Sequence, residues 1–298
     1  SILFFLLFTY VELIDVTNYL NHYYFISLVS FLMCFLPANR SFSLDIWCNR
    51  EKTLKTIPNW TLGILKFQLA LVYFFSGIAK LNYDWLFHAM PMSIWLQAKT
   101  HWPILGSLFT EKWVAYSCSW AACIFDLTVA FFLLSRHYRP IAYFVLVIFH
   151  VITGLMFPIG MFPWIMILAT LIFFSPDFHE RIIAFIRLIF NLKAKKSTAN
   201  NFLVLSGFKR KLFSVFLVTY VLIQLLVPFR YVLYPGDLFW TEQGYRFSWR
   251  VMLIEKAGTA FFYVTDSETG NRGEVNNCDF LTTNQEKMMA TQPDLILQ

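Results

Sequence analysis

The sequence predicts a mainly α-helical, multi-pass membrane bundle followed by a small extra-membrane domain that contains β-structure. Three observations carry that prediction. Hydrophobic residues make up 58% of the chain and charged residues 14%, against about 45–50% and about 25% in soluble domains. Apolar runs recur along residues 1–235, several of them near the ~20 residues needed to cross a bilayer. From about residue 236 the apolar pattern changes to alternation with period two.

Taken in order, residues 1–14 are apolar but short for a full span, and the run meets Glu12 and Asp15. A polar link, 17–21, leads to a second span over 22–37. A polar loop, 38–60, holds Asn39, Arg40, Asp45, Arg50, Lys52 and Lys55. The third span covers 61–80. The link 81–112 spreads Trp85, Trp95 and Trp102 along its length, as suits a segment at the membrane interface. The fourth span, 113–135, contains Asp126, and the fifth, 141–157, contains His150; Arg136 and Arg139 lie in the turn between them. Pro158 and Gly160 turn the chain into a sixth span, 161–174, which Ser175 and Pro176 end. Over 179–196, Ile182, Ile183, Phe185, Ile186, Ile189 and Phe190 oppose Arg181, Arg187, Lys193, Lys195 and Lys196. A basic amphipathic helix of this kind lies along a membrane face. The seventh span covers 212–228.

Residues 245–254 alternate, with Tyr245, Phe247, Trp249, Val251 and Leu253 on one face, which predicts a strand. Residues 260–264 predict a second strand, 266–271 a turn, and 273–275 its return. The expected domains are therefore a helical bundle over 1–235 and a β-rich domain over 236–298. No cleavable leader is evident, and the abrupt apolar ends suggest a chain that extends further in both directions. No internal repeat is visible.

The net charge of +6 comes mostly from loops, where it sets topology rather than attracting nucleic acid. With about seven spans, the basic segments 38–60, 136–139 and 176–211 share one side, the cytoplasmic one by the positive-inside rule. The link 17–21, the end of the third span and the C-terminal domain then share the other, non-cytoplasmic side. Five cysteines form no CxxC pair and have no histidines at metal spacing, so neither a metal site nor a disulfide framework is expected.

The polar residues within the apolar runs are the functional candidates. Lys80 ends the third span just before Asn82, Tyr83, Asp84 and Trp85. A lysine in hydrocarbon costs of order 3 kcal/mol; desolvation favours its uncharged form, which is a base. It would equally serve as an interfacial anchor, but a folded domain on the same side argues for more than anchoring. Asn21 and His22 open the second span on that side, as proton-exchanging or capping groups. His150 lies mid-span, where a histidine is a functional candidate by default. Asp126, midway along the fourth span, fits either neutralisation of a nearby cation or a bond to a neighbouring helix. Phe162 and Met166 share a helix face, and Trp249 and Met252 read as packing residues.

Read together, LNHYYF (20–25), PANRSFSLD (37–45), IAKLNYDW (78–85), FHVITGLMFPIGMF (149–162) and YRFSWRVM (245–252) resemble the vitamin K-dependent γ-glutamyl carboxylase family, whose bacterial relatives share its transmembrane domain. The resemblance runs in order over nearly the whole chain. It implies a membrane enzyme in which an amine base deprotonates reduced vitamin K, which then reacts with oxygen. The strong base so formed removes a γ-proton from a substrate glutamate, carbon dioxide adds, and the quinone leaves as its epoxide. By that resemblance Lys80 is the amine base, Asn21 bonds a hydroquinone oxygen and His22 serves the later proton steps. His150 joins them as a catalytic candidate, and Phe162, Met166 and Met252 line an apolar naphthoquinone pocket. The cofactor implied is reduced vitamin K, with oxygen and carbon dioxide as co-substrates and no metal. The partners implied are membrane lipid and a glutamate-containing protein or peptide, with no nucleic acid. Two departures stand out. Tyr19 occupies a position where animal enzymes carry tryptophan, and Asn39-Arg40 replaces a second Asn-His pair. The competing readings are an epoxidase without carboxylation and a non-catalytic quinone- or lipid-binding module; a transporter is disfavoured by the lack of inverted repeats.

Overall fold

The computed structural model describes residues 1–40, 43–48, 54–191, 201–202 and 207–298. Arg50, Lys52, Lys193, Lys195 and Lys196 fall outside the described residues, as does the side chain of Lys55. The chain is mainly helical. Among the described residues four helices are long and apolar enough to cross a membrane: Asn59–Ala79, Lys112–Leu134, Arg139–Met156 and Gly207–Leu233. A fifth span is possible in length and composition if Phe162–Phe173 and Pro176–Ile189, bent by 116°, are counted as one. The chain is an integral membrane protein.

Seven spans do not emerge. The first two predicted spans are helices of 13 residues each, Ile2–Ile14 and Asn21–Met33. At 1.5 Å per residue each is about 20 Å long, short of the ~30 Å hydrocarbon core. The sixth predicted span is a 9-residue helix, Phe162–Thr170, tightened by a 3-10 turn and stopped at Ser175 before Pro176. Pro176 sits in the first turn of the next helix, where its fixed φ and missing N–H are tolerated. That helix, Pro176–Ile189, is the predicted amphipathic one, and it exposes Ile182, Phe185, Ile186 and Ile189.

The chain divides into two compact units. One comprises Ser1–Phe8, Phe25–Ile78 and Trp120–Val221. Its core groups Leu32, Ile64 and Tyr220 with Leu28, Phe31, Leu65 and Leu217. Polar pairs bridge its helices. Tyr220 donates to Gln68 Oε1 at 2.7 Å, and Ser76 donates to Asp126 Oδ2 at 2.8 Å. Asp126 thus makes the neighbouring-helix bond its mid-span position suggested. Gly77 allows close approach here: a Cβ at that position would lie 2.7 Å from the Leu127 backbone nitrogen.

The other unit comprises Thr9–Tyr24, Ala79–Ser119 and Leu222–Gln298. It contains the predicted hairpin, with Phe262–Thr265 antiparallel to Arg272–Val275 and Val264 paired with Gly273. Asp266 and Gly270 close the turn, with Gly270 at φ +72°. The predicted strand over 245–254 is absent. Phe247, Trp249 and Met252 instead have φ of +60°, +59° and +53°, a region that side-chain-bearing residues rarely enter. The alternation in the sequence is real, but no strand among the described residues pairs with it. Side chains take the segment's backbone groups instead: the Phe247 N–H donates to Tyr19 Oη at 2.8 Å, and the Arg250 carbonyl accepts from Asn21 Nδ2 at 2.8 Å. The Arg246 carbonyl accepts from Arg230 Nη2 at 2.6 Å. A buried backbone must be satisfied somewhere, and here tertiary side chains replace a ladder.

Candidate functional site

Lys80 follows the last residue of the Asn59–Ala79 helix. The short helix Tyr83–Phe87 begins three residues later, capped by Asn82. The Asn82 side chain ties the corner on both sides. Its Oδ1 accepts the Trp85 N–H at 2.9 Å and its Nδ2 donates to the Ala79 carbonyl at 2.9 Å. Trp85 is buried and donates its indole N–H to the Ser119 carbonyl at 2.8 Å. It is therefore a packing residue. Lys80 is only 5% exposed, and its Nζ lies 5.4 Å from the centre of the Trp85 ring. The KLNYDW corner thus places a buried amine over an aromatic face at a fixed elbow.

Asn21 and His22 begin the Asn21–Met33 helix. His22 is buried, with its ring edge-on to Tyr23 at 4.6 Å. Asn21 accepts from the Tyr19 hydroxyl at 3.1 Å and donates to the Arg250 carbonyl at 2.8 Å. The segment it holds is rich in rings. Tyr24 stacks on Trp249 at 4.8 Å and meets Phe247 edge-on at 4.9 Å. Trp249 is 1% exposed, and its indole N–H has no hydrogen-bond partner among the described residues; Arg250 Nε is likewise buried without one there. Burial lowers the Arg250 pKa, opposed by the Tyr231 and Tyr245 phenols. Burial raises the Tyr245 phenol pKa, reinforced by Glu242.

In the other unit, His150 is 1% exposed, and its Nε2 lies 2.8 Å from the Tyr73 hydroxyl. Its Nδ1 is buried without a hydrogen bond. Either tautomer leaves one ring nitrogen unsatisfied, a donor or an acceptor. Phe162 stands edge-on to His150 with ring centres 5.7 Å apart. Met166, one turn further along the same helix, is fully buried.

Residues 1–178 match the family model described as the HTTM domain, and residues 209–298 match the vitamin K-dependent gamma-carboxylase lumenal domain. The chain belongs to the vitamin K-dependent γ-glutamyl carboxylase family. No solved structure matches it. In this family member the predicted site residues fall into two groups, one in each unit. Asn21, His22, Lys80 and Met252 belong to one; His150, Phe162 and Met166 belong to the other. Within the first, Asn21 is bonded to the backbone two residues before Met252. Within the second, His150 and Phe162 touch. Among the described residues no cluster of His, Cys, Asp and Glu could hold a metal. A cavity of about 590 Å³ beside the hairpin, lined in part by Ala260, Val275 and Glu286, contains none of the predicted residues.

Three site features escaped the sequence reading. Tyr73, partner of His150, reads as one more aromatic in an apolar helix; the only signal is a phenol that needs a partner once buried. The spare donors of Trp249 and Arg250 were hidden by the strand pattern. The Tyr19 hydroxyl was noted for its ring, yet its two hydrogen bonds matter more.

Proposed function

We propose that this chain is a membrane enzyme that oxygenates a reduced naphthoquinone to its epoxide and couples this to carboxylation of protein glutamate. The observation that carries the reading is Lys80, a buried amine held over Trp85 at the family's KLNYDW corner. Reduced vitamin K, when bound, supplies the acidic phenol and the reaction with oxygen. The residues present fit such a ligand: Tyr24 and Phe247 are partly exposed rings, and the unpartnered indole N–H of the buried Trp249 suits an oxygen acceptor.

In this reading Lys80 takes the proton from a hydroquinone oxygen. The ammonium formed rests over the Trp85 face, which attracts a cation. Asn21 keeps one N–H beyond its bond to Arg250 and offers it to the same ligand. His22 moves protons on the glutamate side, and Met252 contributes apolar surface. His150, oriented by Tyr73 and met edge-on by Phe162, is a second candidate group for catalysis, with Phe162 and the buried Met166 of the same helix as candidates for apolar contact. The lumenal-domain match supports placing the C-terminal domain, residues 236–298, on the non-cytoplasmic side.

The test is epoxide formation from reduced phylloquinone by the purified chain, with and without a glutamate peptide and labelled bicarbonate. Wild type should form epoxide and fix label into the peptide, and Lys80→Ala should do neither. Epoxide without label would reduce the reading to an epoxidase. No epoxide from folded wild type would overturn it. His22→Ala should lose more carboxylation than epoxidation; equal loss of both would reverse the division of roles.

A further inference from the structure

We propose that Tyr19 is a positioning residue that fixes the Asn21 amide through a directed hydrogen-bond relay. The relay begins at a strained backbone. Phe247, at φ +60°, donates its N–H to Tyr19 Oη at 2.8 Å. That bond occupies the acceptor side of the hydroxyl. The phenol proton is left to point at Asn21 Oδ1, 3.1 Å away. Asn21 Nδ2 then donates to the Arg250 carbonyl at 2.8 Å. A flip of the amide would set Oδ1 against the Arg250 carbonyl, oxygen to oxygen, so the orientation is determined from both ends.

The consequence lies in what remains. An asparagine amide has two N–H donors and two acceptor sites. The relay takes one of each. One N–H and one lone pair remain, in a plane fixed by two bonds to other parts of the unit. The Tyr19 ring adds to the hold, meeting Phe247 edge-on at 4.8 Å. Tyr19 therefore acts on a substrate oxygen only by way of Asn21. The identity of that oxygen, a hydroquinone hydroxyl, rests on the function proposed above; the relay itself does not.

The test uses the full chain in lipid nanodiscs and two readouts. Tyr19→Phe removes the hydroxyl and keeps the ring. Its KM for reduced phylloquinone should rise about tenfold, as loss of one well-aligned hydrogen bond implies, with kcat within about twofold. In the Asn21→Ala background the same substitution should leave KM unchanged, since it acts through that side chain. A rise in both backgrounds, or in neither, overturns the proposal. Asn21→Asp keeps an acceptor for Tyr19 but has no N–H; its KM should rise as far as that of Asn21→Ala, and an unchanged KM overturns the proposal even if Tyr19→Phe does not fold. The second readout is thermal melting of the two single variants and the double. Their losses should fall short of additive, and strict additivity would show that no Tyr19–Asn21 bond exists. If wild type turns over no quinone, the functional reading fails, and the melting cycle still decides the relay.

Discussion

Polar side chains in the two units do different work. In the unit that holds most of the spanning helices, Ser76–Asp126, Tyr73–His150 and Tyr220–Gln68 join side chain to side chain across helices whose backbones are already satisfied. In the other unit, Tyr19, Asn21 and Arg230 reach into a non-helical segment and satisfy its backbone. Losing a pair of the first kind loosens a helix contact. Losing one of the second kind leaves the turn that carries Trp249 and Met252 without support.

That contrast can be broken or sharpened by substitution. The largest effect expected is on activity. Lys80→Ala should cut quinone oxygenation by about 10²–10⁴-fold, the usual worth of a positioned base, with the circular dichroism of wild type. Gly77→Val comes next. Its Cβ would meet the Leu127 backbone, which cannot swing aside, and the cost should be about 1–3 kcal/mol in equilibrium unfolding. Asn21→Ala removes two hydrogen bonds and leaves the Arg250 carbonyl unpaired, so a loss of about 2 kcal/mol is expected. Ser76→Ala should cost only about 0.6 kcal/mol, the average for an interhelical bond in a membrane. A ranking in which Ser76→Ala exceeds Asn21→Ala would break the contrast.

The smallest effect is a pH dependence. Asp15 accepts from the Thr17 N–H and hydroxyl, from Gln285 and from Asn18. The Thr17 bonds are the chief cause of a carboxyl pKa held below its ordinary value of 3.8. A lowered folded value stabilises the protein above the unfolded pKa, and that gain is lost as pH falls below 3.8 and through the folded value. Asp15→Asn should flatten this acid limb of the melting-temperature curve and change little at pH 7.

Much of the helical architecture was legible in the sequence, because hydrocarbon imposes a coarse rule that composition obeys. The hairpin was legible as well: 260–264 and 273–275 were marked by strand formers around a turn. The number of spans was not. Apolar content does not reveal where a helix stops, and the Ile2–Ile14 and Asn21–Met33 helices stop early. The false strand at 245–254 has the same origin. Period two records which side chains are buried, but a strand also needs a partner, and the partners here are single side chains distant in sequence. Among the candidate residues, the burial of Lys80 and His150 followed from polar atoms in apolar surroundings. The Tyr19 relay did not, because it joins residues 228 positions apart.

The Asn82 corner carries one more consequence, for which substitutions the chain tolerates. Asn82 is half-buried and reads at first as a replaceable loop residue. Yet its two bonds require a donor and an acceptor on one short, planar group. Aspartate would keep the cap on Trp85 and lose the donor to Ala79. Serine would have one oxygen for two partners some distance apart, and glutamine would overshoot both. In a saturation scan scored for function, position 82 should therefore tolerate as little as a fully enclosed core site, although it touches water.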